Sequence, residues 1–262
     1  MSTALELDAR FNPEPCAPFL LSGDGTTDSG RVREINEDAY CIDAFLGLVV
    51  VADGVGGGER GDIASRMAVE TVQNRYDEAM RGVSEEDAED TWLIRGIAAA
   101  NRAIHSLFAA GKTATTVVAG AFVEGGVHIA HVGDSRALRL RDGELEQLTE
   151  DHSLLNTYLK AGVLTPETAA TFKLRNVLTR GVGHLPEVEV DCAFHRHAPG
   201  DRYVFCTDGL TDLISSDEIT EILVRYSDDD ALAAEALCDA AWDAGGHDNI
   251  TAVVVRPGGY GR

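Results

Sequence analysis

Four short acidic clusters recur along this 262-residue chain: Asn36-Glu37-Asp38, Asp53-Gly54, Asp208-Gly209 and Asp248-Asn249. Each stands where an apolar run stops or starts. Val49-Val50-Val51-Ala52 leads into Asp53, Tyr203 to Thr207 leads into Asp208, and Ile250 to Val255 follows Asp248. A carboxylate at the tip of a buried strand is poorly solvated and close to other strand tips. Several such carboxylates repel one another unless positive charge lies between them, and a divalent cation suits that role. Metal-assisted chemistry on an anionic substrate is the expectation.

Other residues extend the pattern. Arg33 precedes the first cluster and can fork two hydrogen bonds onto phosphate oxygens, which lysine cannot copy. Taken alone, Arg33 to Asp38 is equally a charged turn before a strand. The segment Ala52-Asp53-Gly-Val-Gly-Gly-Gly58 lacks the Gly-Lys-Ser/Thr ending of a nucleotide-binding loop, and Gly54 lets a backbone carbonyl approach a cation closely. Gly133-Asp134-Ser135-Arg136 follows a strand and reads as the opening of a hairpin. His247 beside Asp248 reads as a histidine that is solvated or lies just behind the ligands. His195 and His197 share one strand face, with no third ligand nearby, and read as an exposed sheet edge.

These residues need elements to hold them. Residues 1–21, with Pro13, Pro15 and Pro18, read as a flexible N-terminal extension, and 22–258 as a single domain. After a turn-rich entry from Gly23 to Gly30, a strand is expected over 46–52 and a glycine loop over 53–58. Helical spacing follows from Ile63 to Val72 and again over about 86–110. Short β runs occupy 115–123, 127–132, 137–141 and 144–148, with Glu124-Gly-Gly and Arg141-Asp-Gly-Glu as hairpin turns. Residues 151–174 form a small helical insert. Strands return at 176–179, 188–194 and 201–206, then helices at about 216–226 and 231–244, then a last strand over 250–255. This order predicts α+β architecture: two packed antiparallel sheets with helix pairs on their outer faces.

Composition narrows the partners. The formal net charge of -22 disfavours nucleic acid and anionic membrane. Five cysteines, an odd number without a C-x-x-C pair, suggest no disulfide framework and no thiolate zinc site. The longest apolar stretch, 45–52, is far below the roughly 20 residues that span a bilayer, and no signal peptide is evident. A cytoplasmic location is expected.

Seven short motifs stand in a recognisable order: Arg33 with Asn36 to Asp38, Ala52 to Gly57, Thr115-Thr116, Gly133 to Arg136, Asp151-His152-Ser153, Thr207 to Leu210, and Asp248 to Thr251. With them the chain resembles the metal-dependent Ser/Thr protein phosphatases of type 2C in their compact bacterial form, over about residues 23–257. The resemblance implies a four-layer α-β-β-α sandwich and a centre of two manganese or magnesium ions. On that resemblance Asp53 bridges the two ions and Gly54 adds its carbonyl. Asp208 and Asp248 complete one ion, while Glu37 and Asp38 act through coordinated water. Asp134, with Asp208, matches the place of a third, weaker ion. Arg33 grips phosphate, and 151–174 corresponds to a flap beside the site. The implied reaction is hydrolysis of phosphoserine and phosphothreonine in proteins by a hydroxide bridging the metals. The implied partners are phosphoproteins and a eukaryotic-like Ser/Thr kinase acting on the same substrates, with the phosphatase a monomer. Animal relatives carry histidine two residues after the bridging aspartate. This chain has Val55, so a metal-bound water is the expected proton donor to the leaving alkoxide. Two other readings remain: a phosphoprotein-binding member with a decayed centre, which the complete set of acidic residues opposes, and an acidic calcium module, which the missing D-x-D-x-D-G loop opposes.

Overall fold

The computed structural model describes residues 19–56, 60–83, 89–108, 113–169 and 171–260. In chain order the strands are β1 (Phe19–Asp28), β2 (Asp38–Asp43), β3 (Leu48–Val55), β4 (Ala114–Thr115), β5 (Val117–Val123), β6 (Gly126–Val132), β7 (Arg136–Arg141), β8 (Glu144–Gln147), β9 (Asp191–Arg196), β10 (Arg202–Cys206) and β11 (Ile250–Tyr260). The helices are α1 (Gly61–Glu78), α2 (Glu89–Leu107), α3 (Leu154–Lys160), α4 (Pro166–Ala169), α5 (Asp208–Thr211), α6 (Ser216–Arg225) and α7 (Asp230–Asp243). One antiparallel sheet runs β2-β3-β5-β6-β9, with β4 paired to β3, and the other runs β1-β11-β10-β7-β8.

Side-chain alternation sorts the strand residues into layers. In β3, Leu48, Val50 and Ala52 pack against Ala68 and Val72 of α1 and Leu93 and Ile97 of α2. Val49 and Val51 face the other way, toward Phe122, Tyr203, Phe205 and Val253 between the sheets. In the second sheet, Val204, Cys206, Ala252 and Val254 meet Leu223 of α6 and Leu237 of α7. Strands buried on both faces carry unbroken apolar runs, and these place helices outside and a β-β core within. The expected α-β-β-α sandwich is the observed fold.

Several local expectations change. The strand through Val51 does not stop at Asp53. It continues to Val55 because β4 pairs with Gly54 and Val55, so Asp53 lies within a strand. Residues 23–28 belong to β1, which runs along β11 from Phe19 to Asp28. Its Gly-Asp-Gly-Thr-Thr composition hides a strand held by backbone pairing. Residues 1–18 lie outside the described residues, and 19–21, read as part of the extension, already pair in β1. Gly133 to Ser135 opens no hairpin: β6 and β7 lie in different sheets, so the segment crosses from one to the other. Residues 176–179 join no sheet and make only one isolated bridge, Leu178 to Ser153. The Asp142-Gly143 turn between β7 and β8 is as expected, with φ of +52° and +83°.

Candidate metal centre

Both sheets end at the same rim, and the acidic clusters meet there. Asp38 opens β2 directly across from Asp53 in β3. Asp134 sits in the crossover between sheets, Asp208 starts α5 just past β10, and Asp248 stands two residues before β11. Asp53, Asp134, Asp208 and Asp248 line one cleft of about 560 Å³, together with Arg33, Glu37, Gly54 and Val55. Asp38 lies beneath them, 8 % exposed.

Hydrogen bonds fix each position. The Asp53 amide donates to Thr116 Oγ1 (2.9 Å), and Thr115 Oγ1 donates to the Asp53 carbonyl (2.8 Å). Thr116 Oγ1 also meets Ser135 Oγ at 2.6 Å, tying β3 to the Asp134 crossover. Thr207 and Thr251 hydroxyls donate to Asp38 Oδ2 at 2.9 and 2.6 Å. Asn249 Oδ1 accepts from the Glu37 amide (2.8 Å), while its Nδ2 donates to the carbonyls of Ser29 and Ile35. One buried amide thus holds the Arg33–Glu37 loop against the start of β11. Glu37 Oε1 accepts from the Gly61 amide at 3.0 Å. A Cβ on Gly54 would lie 2.2 Å from the Gly61 carbonyl oxygen, so only glycine fits between these segments.

The electrostatics are those of uncompensated anions. Burial, then the charges of Asp38 and Asp208, hold the Asp53 carboxyl well above its ordinary pKa. Burial pushes Asp38 up to about 7 against the opposing pull of the two threonine hydroxyls. Burial and Asp208 push Asp134 up to about 8, and burial with Asp212 and Asp248 pushes Asp208 up to about 6. Buried carboxylates this close ionise together only when a cation joins them. Asp38 Oδ1 is buried with no hydrogen-bond partner, an oxygen left over for something the protein chain does not supply. The donors are all oxygen, which suits magnesium or manganese. The residues therefore fit a hard divalent cation.

Arg33 Nη2 lies 2.8 Å from Asp248 Oδ2, both half-exposed at the cleft mouth. Val55 is 44 % exposed in the cleft. The far wall is residues 176–181 with His184, none of which the sequence reading assigned to the site. Thr207 and Thr251 lie within two of the motifs, and only the register that puts them over Asp38 reveals their role. His247 is exposed, as expected. His195 and His197 lie on and just past the edge strand β9, half-buried rather than exposed.

A rim of carboxylates fed by two sheets of an α-β-β-α sandwich is a site suited to hard divalent cations. The family model for Protein phosphatase 2C matches residues 27–237. The Serine/threonine phosphatase stp of Listeria monocytogenes is 36 % identical over 237 residues, covering 88 % of this chain and 93 % of that one. The structure of the Mycobacterium tuberculosis serine/threonine phosphatase PstP/Ppp superposes with a TM-score of 0.81 at 32 % identity, over 90 % of this chain and 98 % of that one. A structure of the catalytic domain of PstP in complex with two manganese ions gives 0.79 at 32 % identity, with the same coverages. The chain belongs to the protein phosphatase 2C family, and it is a protein-serine/threonine phosphatase. Among the described residues no helix is long and apolar enough to cross a membrane.

Proposed function

We propose that this phosphatase hydrolyses phosphoserine and phosphothreonine in proteins at a two-metal centre, as a cytoplasmic monomer opposing a eukaryotic-like Ser/Thr kinase. Residues 22–258 act as one catalytic domain with 151–174 as its flap. The observation that carries the reading is the convergence of five buried or half-buried aspartates at one cleft. Asp53, the Gly54 carbonyl, Asp208 and Asp248 hold two manganese or magnesium ions. Asp134 serves a third, and Glu37 and Asp38 act through water. Bound there, the ions supply a hydroxide nucleophile near neutral pH and positive charge for the phosphoryl oxygens.

The chain's own residues do the rest. Arg33 leaves Asp248 to fork onto the phosphate, adding fixed charge where negative charge spreads in the transition state. Thr115 and Thr116 hold the Asp53 backbone, so its carboxylate is set toward the metal site without rearrangement. Val55 offers no proton, which leaves alkoxide protonation to water in the cleft. Residues 176–181 face the acidic rim and receive the peptide around the phosphorylated residue.

The test is hydrolysis of a phosphothreonine peptide with manganese and with chelator. Turnover should need manganese and fall at least about 1,000-fold in Asp208→Asn, in line with losing a charge that organises the reacting groups. Chelator-resistant turnover would sink the reading.

A further inference from the structure

His131, His152 and Asp191 bring donor atoms within 4.8 Å of one another, behind the cleft wall. The grouping resembles a second metal site, but hydrogen bonds already commit it. His131 Nε2 lies 2.8 Å from the Glu150 carbonyl oxygen. His152 Nδ1 accepts from the Gly133 amide at 3.1 Å, so that nitrogen is bare and the ring proton sits on Nε2. Nε2 faces Asp191 Oδ2 at 3.3 Å. The place of a cation is filled by Arg180, whose Nη1 donates to Asp191 Oδ1 at 2.6 Å. With its proton aimed at Asp191, Nε2 accepts nothing from Arg180, 3.2 Å away.

The remaining bonds show what the ring is for. The His152 amide donates to the Gly133 carbonyl at 2.9 Å. One residue therefore grips both the N–H and the C=O of Gly133. Gly133 has φ +107°, and a Cβ there would lie 2.6 Å from Thr116 Cγ2, so this peptide has little freedom of its own. The next residue is Asp134. On its other side the His152 carbonyl accepts from the Thr179 amide at 2.8 Å, in the far wall of the cleft.

We propose that His152, its tautomer set by Asp191, is a positioning residue: its ring holds the Val132–Gly133 peptide beside the Gly133–Asp134 peptide that its backbone amide already grips, and so keeps Asp134 ready for the weakest-bound ion. This rests on the metal roles proposed above. The same clamp joins the Asp134 crossover to the wall at Thr179 and Arg180, so the two move as one body. A change at Asp191, outside the acidic rim, should reach the ion through the imidazole and through Arg180 in the cleft wall.

The test is calorimetric titration of the metal-stripped full chain with manganese chloride, with circular dichroism as a check of fold. His152→Ala should weaken the weakest site by about 10- to 100-fold, as loss of a ligand-orienting partner does, and leave the tighter sites unchanged. His152→Asn, whose Oδ1 can accept from the Gly133 amide, should recover most of that loss. Asp191→Ala should weaken the same site by a smaller factor. An unchanged isotherm in His152→Ala, equal weakening of all sites, or an asparagine variant no better than alanine would each overturn the assignment. If His152→Ala does not fold, Asp191→Ala decides: an unchanged weakest site overturns it. A wild-type protein that binds two ions and no third also overturns it while leaving the proposed function standing. Manganese-independent turnover would overturn the proposed function itself.

Discussion

At the residue scale the cleft is a balance between carboxylates that crowd one another and the charges that relieve them. Arg33 relieves Asp248 through their ion pair, and the same guanidinium is assigned to phosphate. Arg33→Ala is expected to raise KM for a phosphopeptide about tenfold or more, with a smaller fall in kcat, because it removes ground-state as well as transition-state contact. Steady-state kinetics at saturating manganese check this, and unchanged KM would remove Arg33 from phosphate binding. The crowding also sets a pH dependence. In chelator, Asp208, Asp38 and Asp134 titrate near 6, 7 and 8, and Asp53 is raised as well. The unfolded chain releases those protons near pH 4. Between those values the folded state binds more protons, so its stability is full at low pH and is lost as pH rises through 6 to 8. Melting temperature in chelator should therefore fall from about pH 5.5 to about pH 8.5, and Asp134→Asn should flatten that slope. The acidic positions were legible in the sequence because each abuts an apolar run. The role of the threonines over Asp38 was not, although both stand within motifs, since a hydroxyl carries no periodic signal and only strand register brings it over that carboxylate.

At the scale of elements, the site depends on how short connections are pinned to strand ends. Asn249 is 4 % exposed and satisfies three backbone groups of the 29–37 segment. Asn249→Ala strips partners from buried amide and carbonyl groups and should cost about 2–4 kcal/mol, measured by urea unfolding. A loss below about 0.5 kcal/mol would mean that water replaces the amide. Legibility at this scale followed side-chain pattern. β3, β5, β10 and β11 carry apolar residues on both faces, and the periods of α1, α2, α6 and α7 were plain. β1 was hidden because its pairing with β11 is a backbone affair. The Gly133 crossover passed for a hairpin because sequence shows that a turn follows a strand, and not which sheet the next strand joins.

For the whole molecule, the inter-sheet core holds the two halves of the rim in register. Phe205 is fully buried against Phe122, with ring centroids 6.3 Å apart and near edge-to-face, and it fills the space that Gly120 leaves open. Phe205→Ala should destabilise by about 3–5 kcal/mol, the usual result of emptying an aromatic core site, and should weaken manganese binding although it touches no ligand. Chemical denaturation paired with metal titration checks both. Stability lost with metal affinity intact would show that each sheet keeps its share of the rim unaided.

The rim spans a seam. Asp38 and Asp53 hang from one sheet, Asp208 and Asp248 from the other, and Asp134 from the strap between them. An ion seated there would rivet two slabs that otherwise press their acidic ends apart, so the cofactor of the proposed reaction would also prolong the life of the molecule. Scarcity of that ion would then erode the quantity of enzyme along with its speed.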